Sequence, residues 1–235
     1  GQLIFNGEDL MLKDDGEMAK IRGKNISMIF QDPMTSLNPL QRIDAHFIET
    51  IRTHEAKVNK DEALDLVRAM FDRLGIQEQR LTDYPHQFSG GMRQRVMIGL
   101  ALILSSELVI ADEPTTSLDV LVEAQMLDRL KALKAKRQMT LILISHNLGI
   151  VAELADRLAV MYAAKMVEVA PAQALFDEPL HPYTQGLLAS VPNIRLEEEV
   201  LHTMDGAPPD LIHPPSGCRF HPRCPDVMER CRREE

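Results

Sequence analysis

The stretch VIADEPTTSLD (109–119) runs an aliphatic segment into two adjacent carboxylates, Asp112 and Glu113, followed by a proline and a series of hydroxyl residues. Together with the two residues before it, ELVIAD (107–112) has the continuous aliphatic character of a buried strand, the habit of parallel sheets in α/β proteins. In such sheets ligands bind beyond the carboxyl ends of the strands, where Asp112 and Glu113 fall. A bound Mg²⁺ takes one or two carboxylates together with phosphate oxygens, and a neighbouring acid can polarise an attacking water. A bare Asp-Glu pair can equally be an acidic turn that closes a strand, so the rest of the chain has to decide.

Working outward, strand-like and helix-like segments alternate, which predicts an α/β protein with a mostly parallel sheet. LIFNG (3–7), ISMIFQ (26–31), TLILISH (140–146), RLAVMYA (157–163) and MVEVA (166–170) read as strands, the last two joined by a tight turn. Helices are expected over 14–22, 92–104, 120–137 and 147–155. In NKDEALDLVRAMFDRLG (59–75), Leu64, Val67, Phe71 and Leu74 recur at helical spacing, Asn59 with Glu62 forms a start signal, and Gly75 marks the stop. This helix belongs to a helical subdomain, about 44–104, beside the sheet. Ten of the fourteen prolines lie in the last 65 residues. The composition therefore divides the chain into a domain over 1–170 and an extension over 171–235.

At 235 residues, 45% hydrophobic and 26% charged, the chain can bury a sizeable core. The net charge of −9 argues against general nucleic-acid binding, which needs a basic face. No apolar stretch approaches the roughly 20 residues of a spanning helix. No basic segment followed by an apolar one opens the chain. Three cysteines within 218–231 do not form a disulfide framework, and a reducing setting fits them.

Further motifs give the carboxylates a context. YPHQFSGGMRQR (84–95) sets Ser89, Gly90 and Gly91 at the start of a helix, where unpaired N–H groups and the helix dipole favour an anion and glycines admit close approach. Gln31 and His146 each end a strand. Singly, these are a turn, a surface glutamine and a strand-end histidine.

In this order, however, the pieces resemble the nucleotide-binding subunit of an ATP-binding cassette (ABC) transporter. IFQDP supplies the Q-loop glutamine Gln31, FSGGMRQR the signature loop, LVIADEP the Walker B strand, SLD the D-loop and ISH the switch histidine. The resemblance implies a P-loop NTPase-like ABC nucleotide-binding domain with a helical subdomain and a Pro- and Cys-containing C-terminal extension. It implies ATP and Mg²⁺ as ligands. Asp112 and Gln31 would serve Mg²⁺, Glu113 would be the general base, and His146 would contact the γ-phosphate. Ser89, Gly90 and Gly91 would close over ATP held by a second nucleotide-binding subunit, and Asp119 would cross the interface between the two. Implied partners are that second subunit, identical or not, transmembrane permease subunits at the cytoplasmic face of the membrane, and indirectly a substrate-binding protein.

The sequence departs from the family pattern at one point. The P-loop, G-x-x-x-x-G-K-[ST], does not occur. Gly23-Lys24 lacks the earlier glycine, position 18 being Met18, and is followed by Asn25. The chain reads as an N-terminally incomplete subunit, inactive alone.

HPYTQGLLASVP (181–192), GAPPDL (206–211) and GCRFHPRCPDVMERC (217–231) resemble the C-terminal region of oligopeptide and dipeptide importer ATPases, implying import of peptides or of a related solute such as nickel. Cys218, Cys224 and Cys231, spaced C-x5-C-x6-C, are free thiols or zinc ligands with His221 on spacing alone. By resemblance they would be ligands of a [4Fe–4S] cluster, whose fourth cysteine would be expected further along than Glu235. Two other readings stand beside energy coupling: a non-transport ABC ATPase, and a non-catalytic interaction subunit or remnant without a P-loop.

Overall fold

A computed structural model describes residues 1–32, 36–115, 123–124, 127–128, 130–132, 134, 139–190 and 204–234. Two compact units divide the chain, Gly1–His146 and Asn147–Glu235.

The first unit opens on a short hairpin. Strands β1 (Ile4–Phe5) and β2 (Glu8–Asp9) pair antiparallel across Asn6-Gly7, both at positive φ (48° and 83°), the pairing that a two-residue hairpin turn prefers. The strand expected over 3–7 is thus only two residues long. Asn6 and Asn25 each donate to the Glu107 carboxylate at 2.9 Å, tying this hairpin to the segment that leads into the central strand. Helix α1 (Asp15–Ile21) follows, begun by a reciprocal Asp14–Glu17 capping box.

Strands β3 (Ile26–Ile29), β4 (Leu108–Asp112) and β5 (Thr140–Ile144) form a parallel sheet in the order β3-β4-β5, with Met28, Ile110 and Ile142 in one register row and Asp112 beside Ile144. Period-two alternation sends Ile29, Val109 and Ala111 into the core, where all three are fully buried. Leu141 and Leu143 pack against the same cluster. On the opposite face Met28, Ile142 and Ile144 keep 39%, 48% and 49% of their surface exposed. The continuous aliphatic run at 107–112 predicts burial on both faces. Leu108 and Ile110 are instead only part-buried, so the strand has one packed face.

Helices α2 (Ile43–His54), α3 (Lys60–Leu74) and α4 (Gly90–Leu102) build the helical subdomain. Phe47, Ile51, Val67, Phe71, Leu74, Ile98 and Leu102 form its interior, with the Phe47 and Phe71 rings edge-to-face at 5.7 Å. The boundary signals around 59–75 are realised. Asn59 accepts from the N–H groups of Asp61 and Glu62, and Gly75 closes α3 in the left-handed region (φ 63°). Gly99 lets α4 approach closely, since a Cβ there would stand 2.6 Å from Leu74 Cδ1 and 3.0 Å from Phe47 Cζ. The helix expected over 120–137 lies mostly outside the described residues.

In the second unit, α5 (Leu148–Leu154) precedes an antiparallel pair, β6 (Arg157–Tyr162) and β7 (Lys165–Pro171). Ala163 and Ala164 make the tight turn between them, both at positive φ. Helices α6 (Ala172–Asp177) and α7 (Pro182–Ala189) complete the regular structure. Leu158, Val160, Ala172 and Leu175 form a small core. Phe220, fully buried, meets Tyr162 and Tyr183 with ring centroids 5.2 and 5.5 Å away. No helix among the described residues is long and apolar enough to cross a membrane.

Candidate functional site

Because β3, β4 and β5 run parallel and in register, their carboxyl ends share one edge of the sheet. Gln31 follows β3 by two residues, Asp112 ends β4, Glu113 comes next, and His146 follows β5 by two. Sequence-distant residues are thereby brought to one place by strand register. Gln31 and His146 are exposed, while Asp112 and Glu113 are part-buried.

Glu113 has the most constrained backbone at this edge. Its φ is +46°, left-handed, and Pro114 follows it, although a residue before proline favours extended backbone. Such a conformation costs on the order of 1–3 kcal/mol and persists only when its surroundings hold it. The Glu113 N–H donates to Ile144 O at 2.9 Å, so the β4–β5 ladder runs one residue past the strand. The Glu113 side chain, 19% exposed, places Oε1 2.7 Å from His146 Nδ1, and that imidazole is 75% exposed. One partner is sheltered and fixed while the other reaches into solvent. A carboxylate so held can take a proton from water, and a ring nitrogen beside it can steady the charge.

Sequence reasoning missed a third holder. Gln94, 1% exposed on α4, donates from Nε2 to the carbonyl of Pro114 at 2.5 Å. Its signal was a glutamine three and four residues before the buried Met97 and Ile98, in a position that helical periodicity turns toward the core.

Ser89 caps α4 as expected, its Oγ accepting from the Met92 N–H at 3.4 Å. Ser89 and Gly90 are exposed, and a side chain at Gly90 would meet nothing within 4 Å. The helix start is therefore open at Gly90, ahead of the capped Met92 N–H, and a helix N-terminus of this kind suits an anion. Arg80 steadies the approach to this loop, and sequence reasoning missed it too. It pairs with Asp83 at 2.9 Å, donates to Gln87 O at 3.0 Å and lies 4.9 Å over the Phe88 ring. Asp119 lies outside the described residues.

Comparison with known proteins gives the family. Residues 1–116 match the model of the family described as ABC transporter. The dipeptide transport ATP-binding protein DppD of Bacillus subtilis is 49% identical over 235 residues, which cover 99% of this chain and 70% of that protein. The chain belongs to the ABC transporter family. The oligopeptide transport ATP-binding protein OppD of Escherichia coli is 45% identical, over 98% of this ABC transporter chain and 69% of its own length. A bacterial ABC transporter cassette solved as a dimer superposes with a TM-score of 0.67 at 22% identity, covering 73% of each chain. Another, from Clostridium perfringens, gives 0.64 at 24% identity over 74% of this chain and 67% of its own. The fold is that of an ABC nucleotide-binding domain, and the ATPase chemistry is the family's.

Residues 167–231 of this ABC transporter chain match the family described as oligopeptide/dipeptide transporter, C-terminal region. The iron–sulfur expectation for that region is not supported. Cys218, Cys224 and Cys231 are free thiols, and no group of three or more His, Cys, Asp or Glu among the described residues is placed to hold a metal ion. The Cys218 N–H donates to Cys231 O at 3.0 Å, and His221 Nδ1 is taken by Cys218 O at 2.9 Å, so the backbone closes this segment. Burial, with the charge of Asp226 adding to it, pushes the Cys224 thiol up.

Proposed function

We propose that this chain is the ATP-hydrolysing subunit that powers import of peptides through a membrane ABC permease, docked at the cytoplasmic face. The observation that carries the reading is the coexistence on one chain of the Glu113–His146 pair and a 167–231 segment matched to peptide-transporter C-terminal regions. The named relatives are dipeptide and oligopeptide transport ATP-binding proteins, which supports peptides over nickel as cargo.

In this reading residues 1–170 form the nucleotide-binding domain, with its helical subdomain over 44–104, and 171–235 the extension. Glu113 is the general base for water directed at the γ-phosphate. His146 holds that carboxylate through Nδ1 and offers its other ring nitrogen to the phosphate. A carboxylate and an amide oxygen suit a hard cation, so Asp112 and Gln31 would hold Mg²⁺, which would neutralise charge on the phosphates. Ser89, Gly90 and Gly91 present N–H groups to ATP bound by a second nucleotide-binding subunit, and Asp119, by the family resemblance, would serve the interface with that subunit. The test is reconstitution of the full-length protein with its permease in vesicles. Uptake of labelled peptide that depends on ATP and is lost in Glu113→Gln supports the reading, and peptide-independent behaviour with uptake of nickel alone rejects the cargo.

A further inference from the structure

Gln94 is a polar side chain in an apolar place. It is 1% exposed on α4, a helix whose following residues Val96, Met97 and Ile98 are buried as well, and its amide Oε1 has no hydrogen-bond partner among the described residues. A buried, half-satisfied amide costs on the order of 1–3 kcal/mol, so packing does not explain its presence. Its other end does something specific, since Nε2 donates to Pro114 O, the carbonyl directly after Glu113.

We infer that Gln94 is a positioning residue for ATP hydrolysis, fastening the strained Glu113-Pro114 segment so that the Glu113 carboxylate stays in line with His146. Three contacts then hold Glu113 in its left-handed conformation: its N–H on Ile144 O, its Oε1 at His146 Nδ1, and Gln94 on the next carbonyl. The first two come from β5 and the turn after it. Gln94 alone of the three comes from α4, and α4 begins at the Ser89-Gly90-Gly91 loop. A rigid helix of little more than one turn therefore separates the loop that meets one nucleotide from the clamp on the base that serves another. The inference rests on the reading of Glu113 as the base. Under that reading, Gln94 ties occupancy at the signature loop to alignment of the base in the same chain.

The experiment compares steady-state ATP hydrolysis by the full-length protein as wild type, Gln94→Met, Gln94→Glu and Glu113→Gln, with thermal unfolding of each. Methionine keeps the volume and removes the donor, so kcat should fall at least about tenfold while KM for MgATP stays within about twofold and the melting temperature is retained. Gln94→Glu keeps a polar head but sets an acceptor against the carbonyl, and it should lose kcat likewise, which preserves a test if the methionine variant misfolds. Unchanged kcat in both variants overturns the inference. So does a kcat loss matched by a rise in KM and a fall in stability, which assigns Gln94 to packing. Wild-type turnover in Glu113→Gln overturns the reading of the base instead, and the two failures are told apart by that variant.

Discussion

His146 Nδ1 lies 2.7 Å from Glu113 Oε1, a contact across 33 residues of sequence made by the ends of two adjacent parallel strands. Asp112 pairs with Ile144 in the ladder, so the residues just beyond each strand end are neighbours by register alone. The contact therefore depends on strand alignment, and a one-residue slip between β4 and β5 would turn one of the two side chains to the wrong face.

Replacing Glu113 by glutamine keeps the shape and removes the proton acceptor. In the full-length protein, hydrolysis should fall by about a hundredfold or more while MgATP binding survives, because a general base contributes that much and does not hold the nucleotide. Phosphate release paired with a nucleotide-binding titration measures both, and wild-type turnover would remove Glu113 from the role.

His146→Ala should slow hydrolysis less than Glu113→Gln, because it removes a support of the base and leaves the base in place. A double variant should be no worse than Glu113→Gln alone, since residues acting as a unit are not additive. Additive losses would show that the 2.7 Å contact has no part in catalysis.

How much of this was legible in the sequence follows from what each residue's signal was. The edge of carboxylates, glutamine and histidine could be placed because strand ends are marked by the switch from aliphatic to polar residues, and a parallel order puts such ends together. The α3 boundaries were legible because Asn59, Glu62 and Gly75 act locally, through caps. Gln94 was not legible as a functional group, since its partner Pro114 lies twenty residues away and only folding brings the two together. The open face of the sheet was hidden for a similar reason, since an aliphatic run does not record which neighbours cover it. The cysteine spacing by itself left free thiols and metal ligands equally open, because sequence spacing does not record how the backbone between Cys218 and Cys231 folds.

The caps of α3 should be worth a measurable share of stability. Asn59→Ala removes an acceptor from two N–H groups and should cost about 1 kcal/mol. Gly75→Ala forces a side chain into the left-handed region at φ 63° and should cost about 1–2 kcal/mol. Chemical denaturation of the chain reads both, and unaltered midpoints would mean that α3 is held by its buried face alone.

Gly99→Ala should be harmful although alanine favours helices. The new methyl would meet Leu74 Cδ1 at 2.6 Å and Phe47 Cζ at 3.0 Å, and both residues are essentially fully buried, so neither can move aside freely. Overpacking of this kind costs about 1–3 kcal/mol. A lowered melting temperature is expected, and Gly99→Ala combined with Leu74→Val should recover part of the loss.

The second unit should weaken on mild acidification, through His181. Its Nδ1 accepts from the Tyr183 N–H at 3.0 Å at the start of α7, and its ring lies 5.8 Å from that of Phe220. Burial holds the imidazole below its ordinary 6.5, against the upward pull of the Glu168 charge. The Glu168 carboxyl is itself held low. Burial opposes this, but the N–H groups of Leu180 and His181, at 2.9 and 3.0 Å, help to outweigh it. Both groups take up protons less readily folded than unfolded. Their contribution is therefore whole at neutral pH, begins to fall as the pH drops below 6.5, and falls further through the carboxylate range. Asparagine at position 181 can cap the helix without titrating. His181→Asn should therefore flatten the loss of stability between about pH 7 and 5, read by near-ultraviolet circular dichroism of Tyr162 and Tyr183 during thermal unfolding. An equally steep fall in the variant would place the acid sensitivity elsewhere in the chain.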